Sequence, residues 1–446
     1  MADTRALPKS GSSLATEGAG LRVPPGPALL LLFAASQILF TIGLQHPLQP
    51  FFDETHYVPA ARALIGGEDY LNVEHPLAAK YLIGLSMLLF GDTPFGWRLL
   101  GTLMGTATVA AVFLIAQALF RDTRLSLMAG LLTALNQLVF IQARLAMLDV
   151  YMGAFLLFAL FLLIDSHGRA GARVRVELAL AGALLGLALG CKWAAAPYLG
   201  LAGLVFAGLR VRAAIEQRAG AGCFLLSRSL GPWRGVSTLE GGAYLGLLSL
   251  IVYLATFLPA LFLEHHALTA GEILPHQLEI YRRQTQPLAA HTYMSQWPDW
   301  PLIERPIWYL YERVGGVLRG VLLVGNPAIM WGGLIAVAAC LIGGLRARDP
   351  RLLLVAGLYL FSYGIWAVIP KKIGFYYYYY LPAILLSLAL AGAFGHYCRA
   401  GRLRWLPRAF VAASAAFFVY FYPIIAARPL SHDQDFNRWM WFDSWR

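Results

Sequence analysis

The sequence predicts an all-α polytopic integral membrane protein, and three observations support this prediction. Hydrophobic residues make up 59% of the 446 residues and charged residues only 13%, about half the charged share of soluble domains. Apolar runs of the length that crosses a bilayer as a helix recur along the chain. Lys and Arg are concentrated in the segments on one side of these runs. A soluble globular protein is therefore excluded.

The length of the apolar runs predicts about eleven transmembrane helices. In chain order they lie near 28–45, 98–118, 125–142, 147–165, 177–191, 194–209, 240–262, 317–344, 352–369, 375–394 and 409–424. Residues 1–27, which are rich in Gly, Pro and Ser, are predicted to form a flexible cytoplasmic tail. The apolar piece 77–90 is short for a span, so we expect it to lie in or dip into the interface.

The distribution of charge predicts which side of the membrane each loop faces. The proposed inner segments carry a large excess of Lys and Arg over Asp and Glu, whereas the outer segments are nearly balanced; the inner segments are 1–27, 119–125, 166–178, 210–240, 345–351 and 395–408. This is the positive-inside pattern, and it holds only if 77–90 is not a full crossing. The outer side then has two long loops, 46–97 and 263–316. The Trp-rich tail 425–446 is predicted to be an amphipathic anchor on the same side.

Metal and nucleotide chemistry find little support in the sequence. The four cysteines have no CxxC spacing and lie in or beside apolar runs, which disfavours zinc sites and disulfides. The histidines of the second outer loop match no common ligand spacing, so no metal site is predicted. No inner loop has a glycine-rich phosphate motif, so ATP use is not expected, and neither is nucleic-acid binding. Whether a divalent ion is needed stays open at this point.

A cluster of titratable residues follows the first predicted span. Asp53 and Glu54 are adjacent carboxylates with His56 close by, and Glu74 and His75 follow in the same outer loop. An arbitrary pair of loop carboxylates is solvated, but a carboxylate held near a low-dielectric region can have a raised pKa and act as a general base. We therefore interpret Asp53 and Glu54 as a catalytic centre, with His56 and Glu74 near the acceptor or sugar.

Several cations are predicted at the same membrane depth as these carboxylates. Lys80, Arg98, Arg144 and Lys192 each lie at the outer end of an apolar run. Any one of them alone is typical of a snorkelling interface residue. Together with His75 at a helix start, they predict binding of a lipid-linked phosphate. Four of the five lysines in the chain lie at such outer ends: Lys80, Lys192, Lys371 and Lys372.

The second outer loop is rich in aromatic and polar residues, among them Tyr293, Ser295 and Trp297. This composition is typical of an interfacial belt. It is equally suited to the wall of a sugar site, because aromatic faces pack on sugar rings. We therefore include these three residues as candidates for acceptor or sugar binding.

Taken in order, these motifs resemble the protein O-mannosyltransferases, which are integral membrane glycosyltransferases of the GT-C fold. The resemblance covers roughly residues 28–390. It depends on the order of the motifs along the chain rather than on any single motif. The matching motifs are Asp53-Glu54, His75-Pro76-Leu77 with Lys80, Arg98, the segment from Arg144 to Asp149, Gly190-Cys191-Lys192-Trp193, the segment from Tyr293 to Pro301 with Arg305-Pro306, and Gly325-Asn326-Pro327.

The resemblance implies a GT-C transmembrane catalytic domain over residues 28–424, with interfacial helices in the first outer loop. It implies transfer of mannose from a polyprenyl-phosphate donor to Ser/Thr hydroxyls of proteins, with inversion at the anomeric carbon and no required cofactor. In this family-based assignment Asp53 is the base and Glu54 orients the acceptor or sugar. Arg98 and Lys192 would hold the phosphate. Arg144 is a weaker assignment, which alternatively forms a structural ion pair with Asp149.

Departures from the family pattern leave alternatives open. The loop 263–316 is too short for the soluble domain of eukaryotic members, and the Ala/Arg-rich composition is typical of a prokaryote. We therefore expect a bacterial inner-membrane protein whose site faces the periplasm and acts on secreted or translocating proteins. A related transferase acting on lipid A or a glycan is the main alternative. A transporter or a scaffold protein is less well supported, since charges cluster at one membrane face rather than at the midplane.

Overall fold

The computed structural model describes residues 24–446 except 288, 370, 372 and 400. Most of the predicted tail 1–27 therefore lies outside the described residues, and the first helix begins at Pro25. Within the described part of the chain, nine helices are long and apolar enough to cross a membrane, or ten if one bent pair is a single span. The chain is a helical integral membrane protein, as the sequence predicted.

The α-helices are, in chain order, α1 (Pro25–Thr41), α2 (Glu54–Gly66), α3 (Ala78–Phe90), α4 (Pro94–Phe120), α5 (Thr123–Ala134), α6 (Gln137–Ala143), α7 (Leu148–Ser166), α8 (Ala172–Cys191), α9 (Ala196–Glu216), α10 (Ala221–Leu226), α11 (Thr238–Gly242), α12 (Ser249–Ala255), α13 (Ile273–Thr285), α14 (Pro327–Ala347), α15 (Pro350–Gly364), α16 (Tyr380–Tyr397) and α17 (Leu406–Ile425). A π-helical turn, Ala243–Leu248, joins α11 to α12 in one continuous span.

The predicted spans correspond to these helices one by one. The predicted span 125–142 is the bent pair, in which α5 and α6 meet at 62°. Helix α1 is a slightly shorter apolar helix of 17 residues. With both included, the count reaches the predicted eleven. Helix α16 lies at the centre of the bundle, since 89% of the most apolar stretch of its span is buried inside the protein. In the span that contains α9, only 17% of the corresponding stretch is buried.

Helices α2 and α3 lie in the segment 46–97 and pack on each other, and α3 also packs on α4. Gly67 ends α2 in the left-handed conformation, with φ 74°, and lets the chain turn back. Neither helix reaches the length of a span. This confirms the prediction of short helices in the first outer loop, and it places the start of α2, with Asp53 and Glu54, beside the ends of the spans.

A three-stranded antiparallel sheet is the main difference from the all-α prediction. Strand β1 (Ile307–Val314) pairs with β2 (Val317–Leu323), and β2 pairs with β3 (Pro429–Leu430). The predicted span 317–344 is therefore wrong at its start, because 317–323 is a strand and helix α14 begins at Pro327. Asn326 precedes that helix, and its amide donates to the carbonyls of Leu135 (3.1 Å) and Ser414 (2.8 Å).

The C-terminal tail packs on the protein through two of its three tryptophans, while Trp441 is exposed and the amphipathic anchor stays a prediction. Trp439 and Trp445 are buried in the protein. Their indole N–H groups donate to the carbonyls of Tyr420 (2.8 Å) and Ile303 (2.7 Å). These contacts fix the tail to α17 and to the second outer loop, so the tail is part of the folded domain.

Candidate active site

The two adjacent carboxylates at the start of α2, those of Asp53 and Glu54, point in different directions. Asp53 precedes the helix, and its carbonyl accepts from the backbone N–H groups of His56 and Tyr57, both at 3.0 Å. Its side chain is partly exposed, whereas the side chain of Glu54 is fully buried. Consecutive residues of a helix point about 100° apart, which separates the two carboxylates. Only Asp53 is therefore accessible from outside the bundle.

Glu54 is bound by Arg98 in a buried, bidentate ion pair. Nε and Nη2 of Arg98 donate to the two carboxylate oxygens at 2.8 and 2.7 Å. The backbone N–H of Ala146 also donates to Glu54, at 2.9 Å. Such paired geometry is what allows two charges to remain buried. Glu54 thus joins the start of α2 to α4 and to the segment before α7.

The remaining donors of Arg98 bind the segment between α1 and α2. Nη1 donates to the carbonyls of Leu44 (3.1 Å) and Pro47 (2.8 Å), and Nη2 donates to that of Gln49 (3.2 Å). A guanidinium has five N–H donors, so every donor of Arg98 binds protein. The phosphate-binding role of Arg98 stays a prediction, but this arrangement favours a role in positioning Asp53.

Lys80 and Arg144 likewise direct their donors at backbone carbonyls. The ammonium of Lys80 donates to the carbonyls of Leu71 (3.2 Å), His75 (2.9 Å) and Asn72. Arg144 donates to the carbonyls of Phe40 (2.7 Å) and Ile42 (2.8 Å) at the end of α1. These contacts hold the first outer loop and the end of α1 in place.

Lys192 forms the second buried ion pair of the site. Its ammonium donates to the two carboxylate oxygens of Asp149 at 2.9 and 2.8 Å. The predicted alternative, an ion pair between Arg144 and Asp149, is therefore wrong. The ammonium also lies over the rings of Tyr377 and Tyr378, 5.1 and 5.4 Å from their centroids.

Asp53 lies close enough to this ion pair for its titration to depend on it. Burial raises the pKa of Asp53 from its ordinary 3.8 to about 6. Lys192 and the hydrogen bond from the Tyr57 hydroxyl (3.3 Å) oppose that rise, while Asp149 adds to it. Asp53 is thus ionised at neutral pH yet more basic than a solvated aspartate, which suits a general base.

His75 and Glu74 are held beside this centre by the loop that Lys80 binds. Burial lowers the pKa of His75 well below its ordinary value, and Lys192 and Lys80 lower it further. The ring of His75 packs edge-on against Tyr57, with centroids 5.9 Å apart. His75 is therefore neutral at physiological pH, so it is not one of the cations around Asp53. His56 is exposed.

The candidates in the second outer loop form a separate assembly. The hydroxyl of Ser295 accepts from the indole N–H of Trp300 at 3.0 Å, and the backbone N–H of Ser295 donates to the carbonyl of Gly374 at 2.9 Å. Tyr293 lies under the guanidinium of Arg305, 5.7 Å away. Trp297 packs on Tyr363. These contacts hold the loop against Gly374 and Tyr363, and the predicted sugar contacts stay predictions.

The structure also brings residues to the site that were not among the predicted site residues. Tyr57 hydrogen-bonds Asp53 from one helical turn away, a spacing that the sequence contains. Phe52 stacks on Tyr309 of β1, with ring centroids 3.7 Å apart. Lys371 lies close enough to Asp53, Asp149 and Lys192 for their charges to affect its pKa. The tyrosines that contact Lys192 come from the run 376–380, whose sequence alone did not indicate a site.

A small pocket opens beside the ion pair of Asp149 and Lys192. Its cavity volume is about 10 Å³, which is about the smallest volume that holds one water molecule. Asp149 and Tyr378 line its polar end, and apolar side chains such as Met152, Ile365 and Leu381 line the remainder. Among the residues that the structure describes, no group of three His, Cys, Asp or Glu side chains is arranged to hold a metal ion.

Two family sequence models match the chain. The model described as "Dolichyl-phosphate-mannose-protein mannosyltransferase" matches residues 74–226. The model described as "C-terminal four TMM region of protein-O-mannosyltransferase" matches residues 270–445. Together they cover most of the chain, including the residues around the two buried ion pairs except the start of α2.

Individual proteins show the same relationship. The polyprenol-phosphate-mannose–protein mannosyltransferase of Mycobacterium tuberculosis is 28% identical over 94% of this chain and 91% of its own length. An undecaprenyl phosphate-alpha-4-amino-4-deoxy-L-arabinose arabinosyl transferase of Pseudomonas paraeruginosa is 30% identical over 36% of this chain and 30% of its own length. The fold matches the donor-bound S. cerevisiae protein O-mannosyltransferase Pmt1-Pmt2 complex with a TM-score of 0.74, at 14% identity, over 96% of this chain and 94% of that one.

Proposed function

Because the chain belongs to the protein O-mannosyltransferase family, we propose that it transfers mannose from a polyprenyl-phosphate donor to Ser/Thr hydroxyls of proteins. The observation that carries this proposal is the environment of Asp53. Its carboxylate is partly exposed and has a pKa raised to about 6, and it lies beside the buried ion pair of Lys192 and Asp149. A base and a cation are thus adjacent, as transfer from a phosphate to a hydroxyl requires.

In the proposed reaction Asp53 accepts the proton of the acceptor hydroxyl. The hydroxyl oxygen forms a bond to the anomeric carbon of mannose from the face opposite the phosphate. The bond between that carbon and the phosphate oxygen breaks, and its electron pair stays on the phosphate. The configuration at the anomeric carbon inverts. Lys192 has three N–H donors, of which Asp149 accepts two, so one is left to stabilise the departing phosphate.

Glu54 and Arg98 have a positioning role in this proposal. Their ion pair fixes the first turn of α2 against α4 and the segment 44–49. A base must be held at hydrogen-bond distance from the proton that it abstracts. The pair therefore acts through Asp53 and does not touch the reacting atoms.

The location proposed for the site is the periplasmic face of a bacterial inner membrane. The arginine-rich loops lie at the other ends of the spans, which supports a cytoplasmic location for them. The mycobacterial relative supports a bacterial membrane. On this basis the acceptors are Ser/Thr-containing proteins that are secreted or are crossing the membrane.

A transfer assay with purified protein tests the proposed function. Polyprenyl-phosphate mannose and a Ser/Thr-rich peptide are the substrates, and wild type is compared with Asp53→Asn. We expect mannosylated peptide from wild type and a loss of about 10²–10⁴-fold in the variant, since general-base catalysis contributes about that factor. The matched control is Asp433→Asn, which removes an exposed carboxylate that pairs with Arg313, and it should retain activity.

The assay also distinguishes the alternatives. Wild-type turnover in Asp53→Asn would contradict the base assignment. Product only with a lipid or glycan acceptor would favour the activity named for the Pseudomonas paraeruginosa relative. No transfer with any lipid-linked sugar, together with movement of lipid phosphate across a vesicle membrane, would favour a transporter.

A further inference from the structure

The cations near Asp53 differ in how many of their donors are free. The donors of Arg98 and of Lys80 all bind protein oxygens. Lys192 has one donor left after its ion pair with Asp149. A departing phosphate develops negative charge on several oxygens at once. A single N–H donor can therefore stabilise only part of that charge.

Lys371 supplies the missing positive charge. It lies in the segment between α15 and α16 and is partly exposed. Its ammonium is 5.0 Å from the centroid of the Tyr378 ring. Among the described residues, no hydrogen bond or ion pair from this ammonium to a protein oxygen is present. Burial and the charge of Lys192 lower the pKa of Lys371, against the opposing charges of Asp149, Asp53 and Glu74, to about 8.

Two ammonium groups therefore converge on one aromatic ring. Lys192 lies 5.4 Å from the centroid of Tyr378 and Lys371 lies 5.0 Å from it. Like charges that are partly removed from water repel each other, and an anion between them reverses that effect. Asp149 pairs with Lys192 directly, whereas in the described part of the chain Lys371 makes no ion pair, although the carboxylates of Asp149, Asp53 and Glu74 lie close enough to affect its pKa.

The small pocket beside this ring has a polar end and an apolar end. Tyr378 and Asp149 form its polar end, close to both lysines, while Met152, Ile365 and Leu381 form apolar walls. An anionic group at the lysines would place an attached hydrocarbon chain beside these apolar side chains, since the cavity itself, about 10 Å³, is too small to hold the chain. A lipid phosphate has this combination of groups, whereas free phosphate has only the first.

We propose that Lys371 binds the phosphate of the lipid-linked donor together with Lys192. This inference rests on the proposed function and adds a residue to it. The two ammonium groups hold the phosphate while its bond to the anomeric carbon breaks. The electron pair of that bond stays on the phosphate oxygen, where both cations stabilise it.

Binding of the product lipid tests the proposal without catalysis. Undecaprenyl phosphate is titrated into the detergent-solubilised wild type and into Lys371→Met, Lys371→Arg and Arg282→Met. Undecaprenol, which lacks the phosphate, is the matched ligand. Arg282→Met is the matched protein control, because it removes an exposed cation from α13. We expect Lys371→Met to weaken binding of the phosphate about tenfold or more, Lys371→Arg to restore most of it, and undecaprenol binding to be unchanged.

Four outcomes would overturn the proposal. Equal affinity of wild type and Lys371→Met for undecaprenyl phosphate would exclude Lys371 as a phosphate ligand while leaving the proposed function intact. An equal loss for undecaprenol would show a change in the pocket rather than in phosphate recognition. If wild type did not bind undecaprenyl phosphate, the proposed class of donor would be wrong, and so would the proposed role of Lys371. Tight binding of inorganic phosphate alone at the same site would assign it to free phosphate.

Discussion

Two groups of cations surround the candidate active site, and they differ in how the protein uses them. Around the first outer loop, Arg98 and Lys80 direct every N–H donor at a protein oxygen. Near Tyr378, Lys192 has one donor beyond the two that bind Asp149, and Lys371 lies over the aromatic ring. All four were equivalent in the sequence, as cations at the outer ends of apolar runs.

The difference teaches that a conspicuous buried charge is not necessarily a ligand-binding charge. Arg98 is buried together with Glu54, and removal of either partner would leave an unpaired charge in a low-dielectric region. Such residues determine the shape of the site. The proposed phosphate ligands differ from them, since Lys192 is buried but has one unused donor and Lys371 is partly exposed. Three predictions test this distinction.

The largest expected effect is on stability, from breaking the ion pair of Glu54 and Arg98. Arg98→Met should lower the free energy of unfolding by about 3–5 kcal/mol, because Glu54 is left buried without its partner. Thermal unfolding in detergent measures this. The double variant with Glu54→Gln should recover part of the loss. Arg62→Met is the control, since Arg62 pairs with Asp92 at a half-exposed site, and it should change stability by at most about 1 kcal/mol.

An intermediate effect of opposite sign is expected at Asp53. Its pKa is raised in the folded protein, to about 6, so ionisation above that pH weakens folding. Stability from this group is complete below the pKa of the unfolded state and is lost as pH rises through about 6. Asp53→Asn should therefore be more stable than wild type by about 1–3 kcal/mol at pH near 7.5, and the gain should shrink towards pH 5. A variant that is less stable at both pH values would contradict the raised pKa.

The smallest effect is expected from Tyr57→Phe. The Tyr57 hydroxyl donates to Asp53 at 3.3 Å and lowers the pKa of that carboxyl. Loss of this bond should shift the acidic limb of the activity profile to higher pH and reduce turnover at pH 7 only a few-fold, a change of about 1 kcal/mol or less. The pH dependence of kcat/KM measures the shift. An unchanged profile would show that Asp53 is not the group that titrates in that limb.

The spans could be predicted because membrane helices follow from length and hydropathy alone. Hydropathy did not separate β2 from α14, because a buried apolar strand and a buried apolar helix have the same composition. Asn326 and Pro327 held the missing information, since Pro at the first helical position is a start signal. The C-terminal tryptophans show the same limit, because Trp suits both a membrane interface and a protein core.

Sequence alone determined the membrane class, the family and the group of charged residues from which the site is built. These three conclusions depend on the composition of the chain, on the spacing of its apolar runs and on the order of its motifs. The tertiary structure decided which of those charges are paired. Glu54 meets Arg98 across 44 residues and Asp149 meets Lys192 across 43, and no local pattern encodes such distances. Because a charge in a low-dielectric region is stabilised by whatever lies next to it in space, only the packing of the spans could separate the positioning charges from those left for a substrate.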